Sequence, residues 1–272
     1  MKFATNLAPF GPASDPRVLA ELAQEAEIAG WDGFFLWDHM NWDRWGPEIG
    51  DPWIGLAAAA LATQRLRLGT MVTPLFRRRP TSLARQATSL QQLCQGRLVV
   101  GLGLGAPDPE ESIYLGEPGL LTERARMTDE AIELLRLLWS GKPVAFRGQF
   151  YKVKSGGFQP TPPAPIPLWS AATYPFRPGP LSRAARCEGV VPISYQEEPL
   201  SPEALRCMLE AIGKPGLDVA CGLWTGENPD TDAERVAAYR EAGVTWWVEP
   251  LDPWRGSFES LRARLRQGPP GG

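Results

Sequence analysis

Short apolar runs alternate with longer stretches of helical period along most of the chain. The segment Gly33-Phe34-Phe35-Leu36-Trp37 contains no charged position. Continuous apolar runs of that length suit strands buried on both faces, as in a parallel sheet. Just before it, Leu19, Leu22, Ala23, Ala26 and Ala29 recur at helical spacing between Asp15-Pro16 and Gly30. Asp then Pro opens a helix, and glycine closes it. The alternation continues downstream. Strands are expected at residues 2–9, 33–37, 66–75, 97–102, 168–172, 189–194, 218–224 and 244–248. Helices are expected at 15–30, 51–63, 81–94, 122–140, 180–186, 202–212, 232–242 and 257–266. Residues 144–153 read as a small hairpin, and the proline-rich passage 159–167 as an extended lead into the fifth barrel strand.

Eight strand–helix units over about 250 residues argue for a closed (β/α)8 barrel, an α/β fold. An open, doubly wound sheet is the competing architecture. The expected organisation is one domain over residues 1–267 with a frayed tail at 268–272. At 272 residues and 43% hydrophobic, the chain can bury a large core. A net charge of −3 gives no global reason to expect nucleic acid or an acidic membrane as partner. No stretch approaches the ~18 apolar residues of a membrane span, and the amino terminus has no signal-peptide pattern. The four cysteines are scattered, with no C-x-x-C pair. They read as reduced thiols of a cytoplasmic protein, and with a single histidine they make no metal set.

That histidine, His39, follows the second expected strand directly, after Asp38. The carboxyl ends of parallel strands are where α/β folds place ligands and chemistry. His39 there can move a proton near neutral pH or donate a hydrogen bond; equally, it can be structural, tied to Asp38 or to backbone. Gly101, Gly103 and Gly105 alternate and run into Pro107, so a dinucleotide fingerprint does not fit. Glycines at a strand end instead let a flat ligand approach the backbone. Thr70 and Thr73 offer hydroxyls at the third strand's end, or are ordinary strand residues. Arg77, Arg78 and Arg79 suit an anionic tail, a solvated run or a subunit contact. Ser170, Ala171, Ala172 and Thr173 are small enough to expose backbone N–H groups to an anion. Trp37, Trp42, Trp45, Trp169 and Trp224 fall at or near strand ends; converging, they would form an aromatic pocket.

Several of these segments resemble the luciferase-like monooxygenase superfamily of flavin- and F420-dependent oxidoreductases. They are Gly33 through His39, Leu68 through Pro74 with Arg79-Pro80, Arg97 through Gly103, Arg124 through Gly141, Gly148 through Tyr151 and Ile166 through Ala171. The resemblance runs in order over almost the whole chain. It implies a barrel that binds reduced FMN or the deazaflavin F420 at the strands' carboxyl ends. It also implies that His39 lies near the ring, and that a non-proline cis bond at Met71-Val72 supports the ring. Two departures stand out. Ala106 replaces a glutamate that some F420-dependent dehydrogenases carry after the fourth-strand glycines, and Ala171-Ala172 replaces a glycine pair near the cofactor phosphate. The chain is also short for the family.

The expected protein is therefore an oxidoreductase that transfers hydride or activates O2 on a small organic substrate. A non-catalytic flavin-binding relative and a barrel hydrolase or isomerase are the alternatives. His39 and Asp38 are the expected catalytic pair. Thr70, Met71, Val72, Gly103, Gly105, Ser170, Ala171, Ala172 and Thr173 are the expected cofactor contacts. Asn6, Trp42, Trp45 and Trp224 are the expected substrate pocket. A homodimer and a separate flavin or F420 reductase are the expected partners.

Overall fold

In a computed structural model, the described residues are 1–41, 48–106, 108–195, 198–225 and 229–270, without the side chains of 229 and 230. The strands are β1 (Lys2–Leu7), β2 (Gly33–Leu36), β3 (Arg67–Pro74), β4 (Leu98–Gly103), β5 (Val144–Arg147), β6 (Lys152–Ser155), β7 (Leu168–Thr173), β8 (Gly189–Ile193), β9 (Asp218–Gly222) and β10 (Trp246–Leu251). The helices are α1 (Pro16–Ile28), α2 (Pro52–Ala62), α3 (Pro80–Leu93), α4 (Leu121–Trp139), α5 (Pro178–Ala185), α6 (Pro202–Ile212), α7 (Pro229–Glu241) and α8 (Phe258–Arg266). Eight strands close into a parallel barrel in the order β1-β10-β9-β8-β7-β4-β3-β2, while β5 and β6 form a separate antiparallel hairpin. This is the (β/α)8 barrel, and the open sheet is excluded by the β1–β10 pairing.

Local chemistry sets the helix starts. Asp15 caps α1 by accepting from the Arg17 N–H, and Asp51 caps α2 by accepting from Trp53 and Ile54. Ser201 and Ser257 do the same for α6 and α8. Glu25 on α1 joins first to last: it accepts from Arg262 and Arg266 of α8 at 2.7 and 2.6 Å. The tail is tied as far as Gly268, whose carbonyl accepts from Arg264 at 2.7 Å.

Strand alternation divides the side chains between two cores. Phe34, Leu36, Leu68, Val100 and Leu102 face the helices, whereas Ala4, Phe35, Val99, Trp169, Val191, Ala220, Trp246 and Val248 fill the barrel. Three rings plug it: Phe35–Trp169 and Trp169–Trp246 centroids lie 5.5 Å apart, and Phe35–Trp246 6.0 Å. Trp169 is thus floor, 1% exposed, and not part of a pocket wall as its place near a strand end suggested. A barrel filled this way is a packed core, so ligand chemistry belongs above the plug.

Candidate active site at the barrel mouth

The first turn beyond β2 carries His39. Its ring lies 5.5 Å from Trp37 and 6.2 Å from Phe10. Its Nδ1 meets the Glu111 carboxylate at 3.0 Å. Glu111 comes from the loop after β4 and is 2% exposed. It also accepts the backbone N–H groups of Met40 and Asn41, at 3.2 and 3.1 Å, and the Arg77 guanidinium. Burial alone would push this carboxyl up. The hydrogen bond and charge of His39, then those of Arg77, more than offset it and hold the pKa at about 2. An ionised Glu111 orients the imidazole with Nδ1–H toward it and leaves Nε2 on the far side of the ring.

The partner of His39 is thus Glu111, and Asp38, expected to pair with it, is engaged elsewhere. Successive residues of an extended segment point to opposite faces, so Asp38 leaves the side that His39 takes. Its carboxylate, 3% exposed, accepts from Arg78 at 2.9 and 3.0 Å and from the Thr73 hydroxyl at 2.8 Å. Thr73 in turn accepts from the Trp53 indole at 3.3 Å. Arg77 closes the circuit by donating to the Asp38 carbonyl at 2.7 Å. Arg77 and Arg78 are therefore neither a solvated run nor free anion ligands, and Arg79 alone of the three is exposed.

The loop that brings Glu111 is itself anchored. Arg124 of α4, 1% exposed, donates to the carbonyls of Pro118 at 2.7 Å, Ala106 at 2.9 Å and Leu104 at 3.3 Å. Its guanidinium lies over the Phe76 ring at 4.6 Å. Ala106 leaves the place after the glycines without an acid, but the same loop delivers one five residues later.

Beside His39, β3 bulges between Thr70 and Thr73, and the Met71-Val72 peptide is cis. A Cβ on Gly103 would stand 2.6 Å from Val72 and 3.6 Å from the Ala171 methyl. Met71, Val72, Gly103 and Ala171 are thus brought together as a wall of small and apolar groups, with Thr173 next along the inward face of β7. Gly105 follows at φ +70°, a conformation that favours glycine. Three other expected contacts turn away from the mouth. Thr70 spends its hydroxyl on the Gly101 carbonyl at 3.0 Å and is 1% exposed. Ser170 is buried in the outward phase of β7, and Ala172 packs in the helix-side core. The anion cradle after β7 is weaker than its small residues suggested: α5 opens Pro178-Gly179-Pro180, so two of its first three positions lack an N–H.

Of the expected substrate-pocket residues, Asn6 lies on the inward face of β1, in phase with Ala4. Trp224 follows β9 with the Arg255 guanidinium 5.3 Å from its ring. Trp42 and Trp45 lie outside the described residues. Among the described residues no cluster of His, Cys, Asp and Glu could hold a metal, and no helix is long and apolar enough to cross a membrane.

The family model of the luciferase-like monooxygenases matches residues 1–206. The chain belongs to that family. The F420-dependent glucose-6-phosphate dehydrogenase of Nakamurella multipartita is 32% identical over 237 residues, covering 84% of this chain and 67% of the relative. The enzyme of the same name from Nocardia farcinica is 34% identical over 177 residues, covering 64% and 52%. Against such curated relatives the chain spans from about half to two thirds of their length. The solved F420-dependent secondary alcohol dehydrogenase, in complex with an F420-acetone adduct, superposes with a TM-score of 0.78 at 18% identity, covering 99% of this chain and 98% of that one, a likeness of fold.

Proposed function

We propose that the protein works with F420 or reduced FMN, bound flat against Met71, Val72, Gly103 and Ala171, to reduce or oxidise a small organic substrate. The carrying observation is the wall itself: with no Cβ, Gly103 lets Val72 and the Met71-Val72 cis peptide lie close against the end of β4, and with Ala171 they give the mouth a low, apolar face that suits a planar ring. The buried Oδ1 of Asn6, on the inward face of β1, has no partner among the described residues and can accept from a bound group. The family's cofactors supply the hydride or activate O2 when bound. The chain supplies the rest. Trp37 and Phe10 flank His39, whose side chain stays 18% exposed at the mouth. Glu111 holds Nδ1, and His39 moves a proton or donates a hydrogen bond at Nε2. Anaerobic titration of the purified protein with F420 and with FMN, followed by tryptophan fluorescence and visible absorbance, tests this reading; no response to either would overturn it.

A homodimer fits the outer helices. Ile28 at the end of α1 and Ile54 and Leu61 on α2 are 79%, 60% and 71% exposed, apolar side chains that a second copy would cover. Light scattering should report twice the chain mass, and Leu61→Glu should halve it. The cysteines, free of disulfides, suit the reducing cytoplasm. A separate reductase would regenerate the cofactor.

A further inference from the structure

Across the mouth from the small-residue wall, β1 and β10 carry polar groups that the network around His39 does not use. In the closed strand order β10 and β1 lie opposite β4 and β7. Trp246 and Val248 point into the barrel, while Trp247 and Leu251 pack against helices. Continuing that phase, Pro250 and then Asp252 fall on the inward side. Asn6 pairs with Pro250 and Leu7 with Leu251, so Asp252, the first residue past the end of β10, stands two residues beyond the level of Asn6. Trp37 donates its N–H to Leu7, which brings the His39 strand to the other side of β1.

Asp252 is 6% exposed, and among the described residues its Oδ1 has no hydrogen-bond partner. Nor does its side chain cap the turn that follows it. The buried Oδ1 of Asn6 is likewise unpartnered. Two orphaned oxygens on adjacent strands are costly unless something completes them. Burial lifts the Asp252 carboxyl to about 7; Arg255 lowers it and Glu249 raises it further. Near neutral pH the side chain is therefore divided between a donor and an acceptor form.

Resting on the oxidoreductase reading, we infer that Asp252 and Asn6 form a second polar contact of the mouth, one that hydrogen-bonds the oxygen or nitrogen of a neutral organic substrate held opposite the small-residue wall. A hydroxyl or carboxamide, which both donates and accepts, matches this pair. A phosphorylated substrate does not: Arg77, Arg78 and Arg124 are spent inside the protein, Arg255 donates to the Pro250 carbonyl at 3.0 Å and faces Glu249 at 3.8 Å, and a carboxyl in the wall repels an anion.

The test uses the whole chain, 13C-labelled at its aspartate carboxyl carbons. The resonance that vanishes in Asp252→Asn, and independently in Asp252→Ser, is titrated from about pH 3 to about pH 9. It is followed without additive, with acetamide and with inorganic phosphate. The inference expects a proton affinity on the order of 1000-fold above an ordinary aspartate. Acetamide should change that affinity by at least about threefold, phosphate should not, and Asn6→Ala should remove most of the acetamide response. An ordinary midpoint, a resonance that acetamide leaves unmoved, or a phosphate response as large as that of acetamide overturns the inference. Failure to bind F420 or FMN with the acetamide response intact would instead break the oxidoreductase reading and leave this contact standing.

Discussion

The two sides of the barrel mouth are finished differently. Around β2 and β3, Glu111 and Asp38 each face a guanidinium, and the hydroxyl and indole beside them are also engaged. Across the opening, Asp252 and Asn6 each keep a buried oxygen without a partner among the described residues. A closed network holds geometry: with each acceptor satisfied, it fixes one side chain, His39, in one orientation. An open polar pair holds nothing by itself, and its free energy is recovered only when a ligand arrives. One wall is built to position, the other to recognise.

Cutting the closed wall should have the largest effect. Glu111→Ala leaves Arg77, only 7% exposed, without its counter-charge. Urea unfolding should show a loss of about 3–5 kcal/mol, the scale for stranding a buried charge. A loss below about 1 kcal/mol would mean that the network is not closed. The pH dependence has a definite sign. Glu111 has its pKa held at about 2 against an ordinary value of 4.5, so its contribution is present above about 4.5 and fades as pH falls toward 2. The gap between wild type and Glu111→Gln should narrow over that interval.

His39→Ala should spare the fold, because Glu111 keeps Arg77 and two backbone donors. Turnover should drop by about 100-fold or more, the scale of a positioned acid–base group. A mutant that melts early yet stays active would make His39 structural.

The open wall should respond in the opposite direction. Asp252 has a raised pKa, so the native state is favoured most below about 4 and loses stability as pH rises through about 7. Asp252→Asn removes the charge that burial penalises. It should stabilise the protein by on the order of 2 kcal/mol at pH 8 and hardly at all at pH 4. Equal melting shifts at both values would count against a buried carboxyl.

Gly103→Ala should cost about 1–2 kcal/mol of stability, since the new methyl crowds only the Val72 side chain and meets Ala171 at ordinary contact distance. It should weaken binding of F420 or FMN more than it lowers the melting temperature. An unchanged dissociation constant would remove Gly103 from the cofactor wall.

Much of the barrel was legible because its signals are local. Caps such as Asp15-Pro16 and Asp51-Pro52, and apolar runs such as 33–37, need no distant partner to be read. Element edges shifted where local cues were thin: the last strand runs Trp246–Leu251 rather than from residue 244, and β9 ends at Gly222 before Trp224. His39 was legible as the residue after an apolar run. Its partner was not, because Glu111 is 72 positions away and only the closure of the barrel brings it in. Adjacency favoured Asp38, although neighbours on an extended segment diverge. Asp252 could have been found by the argument that found His39, since it follows an apolar strand in phase with inward residues 246 and 248.

The carbonyl grip of Arg124 bears on how this scaffold can be remodelled. Its guanidinium cannot be neutralised at any pH the protein survives, and its planar fork reaches three carbonyls that one ammonium could not span. The loop after β4 is thus pinned from behind by a helix that touches no reacting group. Grafting new sequence between Leu104 and Pro118 would have to preserve those carbonyl positions or lose the acid they carry. The end of β9 is held by a similar device: Arg235 donates to the Trp224 carbonyl at 2.9 Å, and the buried Glu249 accepts from the Thr225 N–H at 3.0 Å. Remodelling of either loop therefore starts from an arginine and the carbonyls it holds.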